Sequence, residues 1–301
     1  MAIFHRSKLS AELLLSFHHA ITDGWGNQQF LKELVEFYVA FKNGHVPQNK
    51  PLTNTYKEFV ALEHELTSSR EAADFWRRHL SNHQPHALRQ RSASPTGQAI
   101  ESNHTEELSP DLLVHLKQVR LTQRVSLKSI FLTAYLELIG GITNEKQVTV
   151  GVVSNGRSER LSEPLKAIGL FWNIIPFSCS IAGSDSASRV KRVQQLLIDT
   201  DSFAGYPLPQ ILKDQQVNEL FWATFNFLTF PTSDSDPRDT GLRLLSAKGH
   251  DKFHFPLNYV VWVDPSSENT QLRIEYDKAY FDHEQIRALA RNYIDLLHRH
   301  D

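Results

Sequence analysis

Residues 16–26, Ser-Phe-His-His-Ala-Ile-Thr-Asp-Gly-Trp-Gly, put two adjacent histidines, His18 and His19, four residues ahead of the carboxylate of Asp23. Imidazole titrates near neutrality, so a histidine at the end of an element is placed to act as a general base. If the preceding run is a strand, its side chains alternate between faces, and only one of the two histidines reaches a cleft while the other braces the backbone. Asp23 can orient such a site through an ion pair or hydrogen bonds without reacting itself. Gly24 lets the chain bend sharply after it. The reactive group would then stand at a strand-to-helix junction.

The elements that must position these residues can be read from periodicity. Residues 11–19, Ala-Glu-Leu-Leu-Leu-Ser-Phe-His-His, read as a short buried strand. A helix over 27–44 carries Phe30, Leu31, Leu34, Val35, Phe37, Tyr38 and Phe41 at the spacing of a core-facing stripe and closes at Asn43-Gly44. Amphipathic helices are expected over 55–66 and 68–80, after a loop at 45–54. Residues 81–103 are polar and aperiodic and read as a linker. Beyond it, Ser109-Pro110-Asp111 starts a helix, and a buried helix over 126–143 ends at Gly140-Gly141. Strands are expected at 146–155 and 173–181, a helix at 188–204 and a strand at 220–230. An antiparallel pair follows at 255–264 and 270–281, then a closing helix at 282–300. This interleaving predicts an α/β chain, an α+β layered sandwich rather than a doubly wound parallel sheet.

Composition narrows the function. The 301 residues, 41% hydrophobic and 22% charged, suit a globular chain of one large core or two modest ones. A formal net charge of −2 gives no reason to expect nucleic acid or an anionic membrane as partner. The single cysteine, Cys179, excludes an intrachain disulfide framework and points to a cytoplasmic location. No Gly-rich phosphate loop follows a strand. Fifteen histidines are present, but the run at 77–91 has no cysteine or carboxylate at ligand spacing, so no metal site is expected.

The His18-His19-x-x-x-Asp23-Gly24 pattern resembles the HHxxxDG signature of the condensation domains of nonribosomal peptide synthetases, within the chloramphenicol-acetyltransferase-like superfamily. Other segments resemble that family's later motifs in the right order. They are Asn54–Glu65, the Asp-Phe-Trp block at 74–76, and Gly156-Arg157 ahead of Gly169-Leu-Phe-Trp-Asn-Ile-Ile-Pro176. Phe225–Phe230 and the C-terminal strand and helix complete the series.

The resemblance implies two acyltransferase-like lobes with a tunnel between them, where an acceptor amine attacks a donor thioester and an amide forms. Residues 1–95 would be the back part of the first lobe, incomplete and carrying the motif, and 96–301 a nearly complete second lobe. His19 would be catalytic, accepting the amine's proton or positioning the amine. His18 would support it. Asp23 would be structural and paired with Arg157, and Gly24 would leave room for substrate. Trp25 and Asn173 are candidates for the tunnel wall. The implied partners are carrier proteins bearing thioester substrates. No bound cofactor is expected, because phosphopantetheine would arrive on the carrier.

Three departures stand out. Gly26 replaces the serine often found two residues after the motif glycine. Trp172-Asn173-Ile174-Ile175-Pro176-Phe177-Ser178 replaces Val-Asn-Thr-Leu-Pro-Leu-Arg. Residues 201–211 keep only the proline of their block. Family domains also carry a long segment ahead of the histidine motif. A separately encoded front half, a truncated sequence and a degenerate remnant all remain open, with a fragment or split domain as the expectation. Such a chain should expose apolar surface or an open sheet edge. Two rival readings are a CoA-dependent O- or N-acyltransferase of the same superfamily and an inactive carrier-docking module.

Overall fold

The structure is a computed structural model. It describes residues 1–47, 55–83, 88, 100–183, 185–229, 241–246, 248–249, 254–264 and 269–300. Most of the loop at 45–54 and most of the linker at 81–103 lie outside the described residues.

In chain order the elements are β1 (Ala2–Ser7), β2 (Ser10–Leu14), α1 (Gly24–Lys42), α2 (Thr55–Thr67), α3 (Arg70–His79) and β3 (Glu101–Leu108). Then come α4 (Pro110–Gln123), α5 (Leu127–Thr143), β4 (Gln147–Ser154), β5 (Asn173–Ser180), α6 (Ser186–Asp201) and α7 (Leu208–Gln215). The chain ends with β6 (Ala223–Thr229), β7 (Leu257–Val263), β8 (Thr270–Asp277) and α8 (His283–His298). They form two compact units. The first takes residues 1–61, 155–172 and 235–243, and the second takes 62–154, 173–234 and 244–301. This division by packing is not the chain-order one at 95/96. Residues 155–172 join the first unit because Arg157 and Phe171 bond to Asp23.

The second unit is built on a six-stranded sheet of order β3-β8-β7-β6-β4-β5. β6 runs parallel to both β7 and β4, and every other pairing is antiparallel. The mixed sheet matches the layered expectation. Its core helix α5 buries Ile130, Phe131, Leu132, Ala134, Tyr135 and Leu136 completely. Ser109, Ser126, Asp185 and Asp282 each cap a helix by accepting a backbone N–H. Gly140 is interior to α5 rather than its end. A side chain there would collide with Ile181, so the glycine serves close packing, and Asn144 in the left-handed region ends the helix.

Three elements escape the sequence reading. β3 is a polar edge strand paired with β8 that starts in the last residues read as linker and runs on to Leu108, and α7 lies in the divergent segment after α6. β1, over residues given no element in the sequence reading, pairs antiparallel with β2. The free edge of β5 is closed without a strand. His79 Nε2 accepts from the Ser178 N–H at 3.2 Å, and the same ring hydrogen-bonds the Pro176 carbonyl. Arg192 donates to the Ser180 carbonyl. One imidazole thereby meets the backbone groups that a parallel partner strand would meet, which blunts an exposed edge.

The first unit corrects two expectations. β2 is not buried and ends at Leu14, so Ser16–His19 is irregular backbone and strand alternation does not separate the two histidines. The apolar stripe of α1 is not core-facing. Phe30, Val35, Tyr38 and Phe41 are exposed, as are Ile3, Phe4, Leu13 and Phe17, so the expected apolar surface is present.

Candidate active site

The site is organised by Asp23, which is 3% exposed and caps α1 from an extended conformation. Its Oδ1 accepts from the Gly26 N–H at 2.7 Å and from Arg157 Nη2 at 2.8 Å. Its Oδ2 accepts from the Phe171 N–H at 3.1 Å. The positive end of the helix dipole adds to the same attraction. All three bonds hold the carboxylate in place, so its role in the site is to orient.

Arg157 is the counter-charge, and its side chain is fully buried. Beyond Asp23, its Nη1 donates to the carbonyls of Pro164 at 2.6 Å and Ala167 at 2.8 Å, and its guanidinium lies 4.2 Å from the Phe171 ring centroid. Burial pulls its pKa down, and Asp23 opposes that pull. The cation therefore closes the loop 158–167 onto the motif, in a planar bidentate role that lysine could not fill.

Phe171 completes the cluster. Its ring meets Tyr56 at 5.3 Å and Phe59 at 4.9 Å, both on α2. Three glycines make the close approach possible. Gly156, at φ +61°, lies against the Phe171 carbonyl where a side chain would collide. A Cβ on Gly169 would stand 2.5 Å from the Tyr56 ring, and one on Gly26 2.5 Å from Thr22 Oγ1. Gly26 is therefore required by packing in this chain, not merely a departure from a serine.

His19 sits above this cluster, half-buried, with its imidazole edge-on to the Trp172 indole at 5.4 Å and 68°. His18 is exposed, and its Nδ1 accepts the Ala20 N–H at 3.1 Å, which braces the turn. Gly24 opens α1, and among the described residues nothing lies within 4 Å of where a Cβ would stand, so they leave the space over it open. The indole of Trp25 donates to the Leu165 carbonyl at 2.8 Å and ties down the Arg157 loop.

The structure thus brings His19, Asp23, Gly24, Trp25 and Arg157 into one unit. Asn173 belongs to the other unit, where its amide donates to the carbonyls of Ala204 and Tyr206 at 2.9 and 2.8 Å and holds the turn after α6. The sequence reading missed Phe171 and Trp172 as parts of the site. Their signal was present, because both lie in the segment that matches the family's Gly-x-Phe-x-Asn motif.

The sequence profile of the family described as Condensation domain matches residues 1–300. The chain is a member of the condensation-domain family. It is 25% identical over 305 residues to gramicidin S synthase 2 of Brevibacillus brevis, covering 96% of this chain and 7% of that protein. The condensation-domain chain thus spans a small part of the curated relatives that it matches. Among solved structures it is similar to SgcC5 of Streptomyces globisporus, with a TM-score of 0.75 and 19% identity over 93% of this chain and 66% of that one. It is also similar to the first condensation domain of the calcium-dependent antibiotic synthetase, at TM-score 0.73, 17% identity, and 93% and 64% coverage. These similarities establish the chloramphenicol-acetyltransferase-like fold of the condensation-domain family for this chain.

Proposed function

We propose that this condensation domain forms an amide between a carrier-bound acyl or peptidyl thioester and an acceptor amine, as a step of nonribosomal peptide synthesis. The observation that carries the reading is the division of labour in the motif. The Asp23 carboxylate is occupied by three donors, which leaves the His19 imidazole as the motif's proton-handling group. The amine nitrogen attacks the thioester carbonyl carbon and loses a proton to or toward His19. The carbon–sulfur bond then breaks, and the pantetheine thiol leaves with a proton. The space over Gly24 admits the reacting groups, and Arg157 keeps the helix start beneath them fixed.

The partners in this reading are carrier proteins, and the phosphopantetheine arm comes with them. A cytoplasmic location fits a lone cysteine, Cys179, that is buried and unbridged. The test offers two loaded carriers to the chain in its native polypeptide context and follows amide product by mass spectrometry. His19→Ala is expected to lower the rate by about 10² to 10⁴-fold, the range that general acid–base groups supply. Product at the wild-type rate from His19→Ala would reject the assignment. No product from either protein, with carrier binding intact, would favour a docking module instead.

A further inference from the structure

Trp172 stands where the family pattern has valine, and its indole is the ring that meets His19. The backbone that delivers it is held from several sides. The Gly169 carbonyl accepts the Asp23 N–H at 3.2 Å. At Phe171 the N–H is bound by Asp23, and the ring is held by Arg157, Tyr56 and Phe59. The Phe171 carbonyl rests against Gly156. With residues 169–171 pinned, the next side chain has only its own torsions left to choose. The Trp172 indole N–H is buried without a hydrogen-bond partner among the described residues, a placement that disfavours the folded state. A side chain kept there against that penalty is kept by its packing. Meanwhile the three bonds to the Asp23 carboxylate go to Gly26, Arg157 and Phe171.

We propose that Trp172 is the positioning residue for His19, and that Asp23 acts on the imidazole through Phe171 and Trp172. The indole edge adds a restraint on the ring's orientation that a valine would not supply. This inference rests on the reading of His19 as the reactive group, and its first test does not depend on turnover.

Proton–carbon correlation spectra of the histidine rings in the full chain, with His19 assigned from His19→Gln, read the contact as a ring-current displacement of the His19 signals. Trp172→Val should return those signals to ordinary histidine positions, and Trp172→Phe should keep part of the displacement. Asp23→Asn should move the His19 signals in the wild-type background and leave them unmoved beside Trp172→Val. If Asp23→Asn unfolds the unit, Phe59→Leu loosens Phe171 without removing a charge and tests the same coupling. In the condensation assay, Trp172→Val should lower kcat by about tenfold to a hundredfold with KM for the loaded carriers little changed, as misplacement of a catalytic group does. His19 signals untouched by Trp172→Val would overturn the proposal whether or not the chain turns over. Signals displaced as expected, with no amide from any variant, would uphold the placement and sink the amide-forming reading.

Discussion

The second unit buries Trp76, Tyr135, Tyr206, Tyr259, Tyr276 and Tyr293 at under 2% exposure, whereas the first leaves Phe4, Phe17, Phe30, Tyr38 and Phe41 in solvent. Beside Leu161, Ala167 and Phe171, what the first unit buries is polar: Thr22, Asp23, Thr55 and Arg157. One unit is held by apolar area distributed over a sheet and its helices, the other by a few directed contacts around one ion pair. Area-based stability is divided among many residues and tolerates the loss of any one. A buried ion pair concentrates it, because removing either partner strands the other charge in a dry environment.

That contrast is broken most severely at Arg157. Arg157→Met should destabilise the first unit by about 3–5 kcal/mol. It should open the amides of Gly26 and Phe171 to hydrogen exchange while protection in β4, β7 and β8 stays at wild-type levels. Asp23→Ala should cost a similar amount, and the double variant far less than the sum, because the two residues share one interaction. Additive losses, or a uniform fall in protection across both units, would show that the pair does not carry the unit.

The same contrast governs how much could be read from the sequence. In the second unit, apolar periods and caps announced α4, α5, α6, α8, β4 to β8 and the antiparallel pairing of β7 with β8. Burial there follows side-chain chemistry. Two misreadings have local causes. β3 is an edge strand of polar residues and lacks an apolar period. Gly140 serves close packing against Ile181, which looks the same in a sequence as a helix stop. In the first unit the periodic signal misled. The stripe of α1 has the spacing of a core face, yet Phe30, Val35, Tyr38 and Phe41 are exposed and Leu31, Leu34 and Phe37 only half-buried, and β2 is exposed too. The Asp23–Arg157 pairing spans 134 residues of chain, and only the resemblance to a family brought the two together. Trp172 was noted as a departure and not as a neighbour of His19, since no periodicity connects a loop residue with a turn.

A second prediction tests whether the second unit also depends on a single polar group. His79 is half-buried, its ring packed against Phe75, Trp76 and Phe177, and burial pulls its pKa down to about 4 from an ordinary 6.5. Above pH 6.5 the ring is neutral in both folded and unfolded chains. Between 6.5 and about 4 the unfolded chain takes up a proton that the folded one refuses, so stability falls as the pH falls and levels off below the folded pKa. The full loss is about 3 kcal/mol for a shift of this size. Protonation would also remove the acceptor that closes the Ser178 N–H on the β5 edge. His83, lowered by its own burial, contributes in the same direction. Denaturant unfolding followed between pH 7 and pH 4 should show a shallower slope in His79→Gln than in wild type, and parallel slopes would reject the assignment.

The smallest effect should have the opposite sign. The hydroxyls of Tyr135 and Tyr259 are buried with no hydrogen-bond partner among the described residues, and their rings are 4.7 Å apart. Burial drives both pKa values upward, so both stay protonated, each an unsatisfied polar group in an apolar setting. Tyr293 beside them is different, since its hydroxyl donates to the Phe131 carbonyl at 2.9 Å. An orphaned buried hydroxyl costs about 1–3 kcal/mol, and its removal leaves the ring's packing intact. Tyr135→Phe should therefore raise the stability of the second unit by about 1 kcal/mol, whereas Tyr293→Phe should lower it. A fall in the melting temperature of Tyr135→Phe would mean that its hydroxyl has a partner in solution. A rise would show a unit held by area gaining from the loss of a polar group, where the first unit cannot lose one.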